Sequence, residues 1–210
     1  YPETDMVITD IMMPVMDGIK LCRSIKQNIS TGHIPVVMLS AKTDIDDQLD
    51  ALQTGADDYI PKPFSLQVLA MKANNIIRNR RRIMERYSRM AEMEPQNITF
   101  NEADEEFIQK AAEVVKRNLS NETFSTEEFA KELTVSRSSL HLKIKAITGL
   151  SALDFIRKIR FNEACELLKE NRWTIAEISY KVGFSSPSYF STSFKRYFGC
   201  LPTEYQKNNS

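Results

Sequence analysis

An internal repeat near the carboxyl end constrains this 210-residue chain more than any other feature of its sequence. Shifted by 50 positions, Leu140 falls on Phe190, Ile144 on Phe194, Lys145 on Lys195, Gly149 on Gly199 and Phe155 on Tyr205. Upstream the offset is 49: Glu128 falls on Glu177, Phe129 on Ile178, Leu133 on Val182, Val135 on Phe184 and Ser136 on Ser185. One extra residue beside Pro187 accounts for the slip. A fixed period of this length marks a duplicated supersecondary unit. Each copy reads as a short helix, a tight turn and a second helix. Helical spacing over 104–118, 125–132, 136–148, 151–170, 174–181 and 186–198 makes everything from Phe107 onward all-α.

In the first copy Phe129, Leu133, Leu140, Ile144 and Ile147 form the apolar stripe that joins the two helices, and Ser138, His141, Leu142 and Lys145 fall on the other face. In the second, Ile178, Val182, Phe190, Phe194 and Tyr197 form the stripe, with Ser188, Thr192 and Lys195 outward. Ser136 and Ser186 each stand where a side chain caps the second helix, leaving its partly positive amino end exposed. A capped, polar-faced helix projecting from a helix-turn-helix suits the roughly 12 Å wide major groove of DNA. Two hairpins packed as a generic bundle would need the same apolar frame, but not matching lysines and glycines.

Charge agrees with that division. Overall 28 Lys/Arg balance 28 Asp/Glu, yet residues 1–75 hold 6 against 10 and residues 136–199 hold 11 against 5. An acidic module joined to a basic one is expected, the basic one fit to approach phosphates.

Residues 121–206 resemble the DNA-binding domain of the AraC family of transcription regulators. The matching pieces are "FSTEEFAKELTVSRSSLHLKIKAITGLS", "ALDFIRKIRFNEACELLKE" and "TIAEISYKVGFSSPSYFSTSFKRYFGCLPTEYQ". The resemblance implies two reader helices in successive major grooves of double-stranded DNA, their separation set near one helical turn, about 34 Å, by the connecting helix 151–170. Carried over by position, base readout falls to Arg137, Ser138 and His141 in the first helix and to Ser188, Tyr189 and Thr192 in the second. Lys145, Lys195 and Arg196 are left for phosphates.

The first third alternates short strands and helices, an α/β pattern that argues for a parallel sheet. Met6–Thr9, Pro35–Leu39 and Tyr59–Ile60 read as strands, and residues 18–27 and 44–53 as helices, the latter ending at Gly55. A long helix over about 66–90 carries the run Arg78-Asn79-Arg80-Arg81-Arg82, expected as a solvated face. "VITDIMMPVMDG" places Asp10 at the carboxyl end of a strand, where open parallel sheets put their sites. Ser40 follows the next strand and Lys62, in "PKPF", the third. A carboxylate, a hydroxyl and an ammonium at neighbouring strand ends suit one phosphoryl group, with Asp10 as nucleophile, Lys62 as counter-charge and Ser40 as donor. A strand-end Asp alone is often only a cap; the joint pattern is less generic.

These residues are similar to the receiver domain of two-component response regulators. That resemblance implies Asp10 as phosphoacceptor, Mg²⁺ held by Asp10 and the Met12 backbone carbonyl, Tyr59 as aromatic switch and a cis Lys62–Pro63 bond. Receivers also open with two strands and an acidic pair for Mg²⁺, which this sequence lacks, and the Asp44, Asp46, Asp47, Asp50 cluster stands in the wrong place to replace it. Three strands make a truncated doubly wound, flavodoxin-like sheet, expected to hold Mg²⁺ poorly.

The expected organisation is a truncated receiver over 1–90, a linker over 91–105 around Pro95, and an AraC-type domain over 106–210 with helix-turn-helix motifs at about 125–149 and 174–199. Cys22, Cys165 and Cys200 are widely spaced, which suggests reduced thiols in a cytoplasmic setting. His33 and His141 have no thiol or acidic cluster for zinc. No apolar run reaches the ~18 residues of a membrane span, and no leader is visible. The leading function is a phosphorylation-regulated, sequence-specific DNA-binding transcription regulator of a two-component or hybrid system, not an enzyme. A histidine kinase is expected as phosphoryl donor and a homodimer as the working form. Two alternatives stand beside it: a DNA-binding module whose receiver part is only a dimerisation scaffold, and a haloacid-dehalogenase-like phosphatase. The phosphatase is disfavoured because such enzymes want a second Asp where Met12 stands.

Overall fold

A computed structural model describes residues 4–41, 54–89 and 102–209. The helix expected at 44–53, the acidic cluster within it and most of the expected linker lie outside these residues. Two compact units emerge, 1–85 with 99–105 and 86–98 with 106–210.

In the first unit, β1 (Val7–Asp10), β2 (Val36–Ser40) and β3 (Asp58–Pro61) form a parallel sheet in that order. Val7 pairs with Val36 and Asp10 with Leu39; Val37 pairs with Asp58 and Ser40 with Pro61. β2 is central and almost wholly buried, whereas Ile8 on the edge strand β1 is exposed, so that strand is less buried than its apolar run suggests. Helix α1 (Gly18–Gln27), capped by the Asp17 carboxylate on the Lys20 N–H, lays Cys22 against Val36, Met38 and Ala56. Helix α2 runs from Leu66 to Arg89.

Asp57, just before β3, is a largely buried ionic hub. Its Oδ2 accepts from Lys26 Nζ (2.7 Å) and the Val36 N–H (2.8 Å), and its Oδ1 from Arg80 Nη2 (2.6 Å). The three charged side chains are 10–14% exposed. This corrects the reading of the arginine run as a uniformly solvated face: Arg80 points inward, while Arg81 pairs at the surface with Asp5. The Lys62–Pro63 peptide is cis.

The second unit is helical. Helix α3 (Glu102–Arg117) opens inside the stretch expected as linker, its charged first turn having masked the periodicity. Then come α4 (Thr126–Glu132), α5 (Arg137–Thr148), α6 (Ala152–Lys169), α7 (Ile175–Lys181), α8 (Pro187–Phe198) and α9 (Pro202–Asn208). Short α9, with Pro202 at its first turn, was not anticipated from the sequence. The connector α6 is the spine. Its Phe155 stacks on Phe129 of the first motif at 6.2 Å, and its Phe161 lies against Phe184, Phe190, Phe194, Tyr197 and Phe198 of the second. Its Lys158 is fully buried, with Nζ 4.4 Å from the centre of the Tyr87 ring and 3.4 Å from Tyr197 Oη. Burial alone lowers its pKa to about 8.

Breaking a buried ionic hub at its centre leaves two cations and an N–H short of an acceptor. Asp57→Ala should therefore destabilise the first unit by about 3–5 kcal/mol, and Asp57→Asn by less. Denaturant unfolding followed by circular dichroism measures this; a loss under about 1 kcal/mol would show that water replaces the carboxylate.

Candidate functional site

Both copies of the repeat are built alike. In α4, Ser125 Oγ accepts from the Glu128 N–H while Glu128 Oε2 accepts from the Ser125 N–H (2.9 Å). In α7, Thr174 and Glu177 make the same reciprocal pair, the Thr174 N–H donating to Glu177 Oε2 at 2.8 Å. The alignment of Glu128 with Glu177 in the repeat thus has a local cause, a capping box that fixes where each first helix begins. The second helices open on Ser136, which accepts from the Ser139 N–H, and Ser186, which accepts from the Tyr189 N–H, both at 3.1 Å. They close on Gly149 (φ +75°) and Gly199 (φ +78°), left-handed positions that favour glycine.

This framing exposes one face of each second helix. On α5, Leu140, Ile144 and Ile147 are buried, and Arg137, Ser138, His141, Leu142 and Lys145 are exposed. On α8, Phe190 and Phe194 are buried, and Ser188, Tyr189, Thr192, Lys195 and Arg196 are exposed. A recess of about 650 Å³ opens beside the amino end of α5, lined by Thr126, Arg137, Ser138, His141 and the first turn of α6.

The exposed side chains have partners within the unit. Arg137 Nη1 lies 2.6 Å from Glu127 Oε1. Tyr189 Oη accepts from Arg157 Nη2 of the connector (3.1 Å), and Arg157 also reaches Asp154 Oδ1 (3.3 Å). Thr192 Oγ1 donates to the Ser188 carbonyl at 2.9 Å. Arg157, beside the second exposed face, escaped the sequence reading because it lies in the connector rather than in either repeat copy. The repeat's own symmetry could not have found it.

In the first unit the strand ends bring Asp10 and Lys62 together: Lys62 Nζ donates to Asp10 Oδ2, and the Met12 N–H donates to Asp10 Oδ1 at 3.2 Å. The Lys62 bond is the main cause of an Asp10 pKa below the usual carboxylate range. Gly18 lets the start of α1 lie directly on the backbone of this strand end, since a Cβ there would stand 2.2 Å from the Asp10 carbonyl oxygen. Ser40 ends β2, buried, and its carbonyl accepts from the Lys62 N–H (2.6 Å). Tyr59 lies on β3 against the small apolar core. Among the described residues no three His, Cys, Asp or Glu side chains gather into a metal site, and Asp10 brings one carboxylate with both oxygens engaged. These residues alone do not make the oxygen cage that Mg²⁺ demands.

Comparisons with known proteins match one family model to the first part of the chain and another to the last. Residues 2–74 match the response regulator receiver domain model and residues 129–208 a helix-turn-helix domain model. Histidine kinase P4 of Formosa agariphila is 40% identical over 205 residues, 98% of this chain but 15% of that protein. The transcriptional regulatory protein YclJ of Bacillus subtilis is 43% identical over 74 residues, 35% of this chain and 31% of its own length. Among solved structures, the C-terminal domain of AraT, a response regulator from Geobacillus stearothermophilus, is 32% identical over 49% of this chain and 84% of that one, with a TM-score of 0.45. The chain thus spans a third or less of the curated relatives just named. No helix among the described residues is long and apolar enough to cross a membrane.

Replacing the ammonium beside Asp10 removes the principal cause of its lowered pKa. Lys62→Met should raise that pKa toward the ordinary carboxylate value, read by NMR titration of the Asp10 carboxyl carbon. An unchanged titration would assign the shift to the backbone N–H of Met12 instead.

Proposed function

From a chain that carries a response-regulator receiver domain followed by an AraC-type helix-turn-helix domain, we propose a phosphorylation-regulated, sequence-specific DNA-binding transcription regulator of a two-component system. The observation that carries the reading is the pair of exposed polar helices, each framed by a serine cap and a left-handed glycine and each backed by the same connector. α6 has 18 residues, about 27 Å at 1.5 Å per residue, a length of the order of one turn of DNA, which supports motifs that reach neighbouring grooves.

Within this proposal Arg137, Ser138 and His141 read base edges from α5, and Ser188, Tyr189 and Thr192 from α8, while Lys145, Lys195 and Arg196 hold phosphates. Arg137 is the side chain suited to bidentate guanine contact. Its exposed pair with Glu127 is worth about 1 kcal/mol or less and yields readily to a base. Domain limits of 1–90, 91–105 and 106–210 belong to the same proposal, with the linker shortened to end before Glu102.

Asp10 is the proposed phosphoacceptor, with Lys62 stabilising the phosphoryl oxygens and Ser40 and Tyr59 as switch residues. A histidine kinase is the proposed donor, a homodimer the working form and the cytoplasm the setting. The F. agariphila relative, a histidine kinase matched along nearly all of this chain, supports a hybrid parent. Receivers in general use Mg²⁺; the single carboxylate at the described site favours an acidic pair elsewhere in the parent as its other ligands. The chain itself turns over no substrate in this reading. In the intact parent, a beryllofluoride mimic at Asp10 should change DNA affinity or oligomeric state; identical values with and without it would leave the receiver a scaffold.

Binding is tested by selecting sites from a randomised duplex library with the whole chain. Arg137→Ala should lower affinity for the selected site about tenfold or more and for random DNA little, a loss of one good base contact. Lys195→Ala should weaken both alike and reduce the salt slope by about one. No enrichment of any sequence by the wild-type chain would overturn the reading, and equal losses for Arg137→Ala on both DNAs would remove it from base readout.

A further inference from the structure

Arg160, on the connector, reaches two segments that lie far apart in sequence. Its Nη1 donates to the Gly183 carbonyl at 2.9 Å and its Nη2 to the Asn121 carbonyl at 2.6 Å. The side chain is 8% exposed overall, and burial lowers its pKa. Nothing in the repeat points to it, because it belongs to neither copy.

One carbonyl belongs to the segment that enters the first motif and the other to the turn inside the second. Asn121 sits in the turn that leads through Phe124 to Ser125, the cap of α4 and the start of the first motif; the Phe124 N–H donates to the Asn121 carbonyl as well. Gly183 is the turn of the second motif, three positions before Ser186, the cap of α8. The backbone there is left-handed (φ +74°), and a Cβ at Gly183 would stand 2.2 Å from the Leu119 carbonyl oxygen and 2.8 Å from Arg160 Nη2. The turn of the second motif is therefore pressed directly onto the segment that leads into the first, with the guanidinium wedged beside the contact.

We infer that Arg160 is a positioning residue that fixes the register between the two reader helices and so sets the spacing of the DNA subsites that the chain accepts. This rests on the DNA-reading function proposed above. A guanidinium is a rigid planar fork whose two amino nitrogens stand at a fixed separation, so bonds to both carbonyls fix the distance between their segments. A lysine has one ammonium on a flexible stem and cannot impose that distance. Apolar packing on α6 holds each motif to the connector but is non-directional, and leaves small rotations of one motif against the other cheap. The fork resists such rotations because each would break a buried, charge-assisted hydrogen bond.

Register matters because DNA is helical: inserting one base pair between the subsites turns one against the other by about 35° and moves it about 3.4 Å. A rigid reader should reject the insertion and a loosened one should tolerate it. The test uses the whole chain and the duplex selected by the wild type, compared with that duplex carrying one inserted or one deleted base pair between its halves. Wild type should favour the selected spacing by about tenfold or more, and Arg160→Met should narrow that preference to within about threefold, affinity for random DNA staying unchanged. Arg160→Lys, which keeps the charge, should fall near Arg160→Met. Should Arg160→Met fail to fold by circular dichroism, Arg160→Lys and Arg160→Gln carry the comparison. A uniform loss of affinity with wild-type spacing preference in the folded variants would overturn the inference while leaving DNA reading intact. A wild-type chain that selects no sequence would instead remove the function on which the inference stands.

Discussion

The two faces of the connector helix α6 are the constraint on which the rest of the helical unit depends. One face seats Phe155 against Phe129, and the other seats Phe161 among five aromatic rings of the second motif. α6 buries ten of its 18 residues, Lys158 and Arg160 among them, because each motif covers part of it. Large-to-small changes at such positions cost about 3–5 kcal/mol, so Phe161 outweighs any surface pair in the unit. The exposed faces of α5 and α8 are a consequence: with their apolar stripes turned to the core, their polar sides face outward and meet only side chains such as Glu127 and Arg157 at their edges.

Charge within this apolar spine comes at a cost that packing must offset. Lys158 titrates near 8 rather than 10.5 because burial disfavours its charged form. Since the folded-state value lies below the unfolded one, the penalty is fully present below about pH 8 and is relieved as pH rises toward 10.5. The Tyr87 ring at 4.4 Å offsets part of it, a cation–π contact worth about 2 kcal/mol when desolvated. Arg160 pays a similar desolvation, offset in part by two backbone carbonyls, while its Nε is buried without a hydrogen-bond partner among the described residues. The first unit solves the same problem differently, by giving buried Asp57 three donors.

The architecture was legible in the sequence wherever it is periodic or local. The repeat gave both motifs, the serine caps gave the openings of α5 and α8, and glycines 149 and 199 gave their ends. The strand-end pattern anticipated that Asp10 and Lys62, 52 positions apart, converge, though as partners around a phosphoryl group rather than as the direct pair they form. What stayed hidden has a common cause. Arg80, Lys158 and Arg160 look like surface charges in a linear reading, and their partners are a buried carboxylate, an aromatic ring and two main-chain carbonyls. A backbone carbonyl carries no side-chain identity, so no spacing rule points to it. The early start of α3 was hidden for the opposite reason: Glu102, Asp104 and Glu105 suit the first turn of a helix electrostatically but break its apolar rhythm.

The two readers are not equivalent, and the difference follows from which side chains the common frame exposes. α5 offers Arg137, a donor fork restrained only by an exposed carboxylate, and His141 one turn further along the same face. α8 offers hydroxyls, and two of them are already engaged: Thr192 Oγ1 with the Ser188 carbonyl, and Tyr189 Oη with Arg157. Each keeps part of its capacity, since the Tyr189 O–H can still donate and Thr192 Oγ1 can still accept, so these bonds orient what α8 could offer a base without using it up. The phosphate contacts proposed for Lys195 and Arg196 would carry no sequence information. In the proposed function, then, α5 supplies the bidentate contact, while α8 reads through hydroxyls and the shape of the DNA as it anchors the neighbouring groove. Such a division of labour works only if the anchor stands at a fixed distance from the reader, which is the condition that the connector and its buried guanidinium impose.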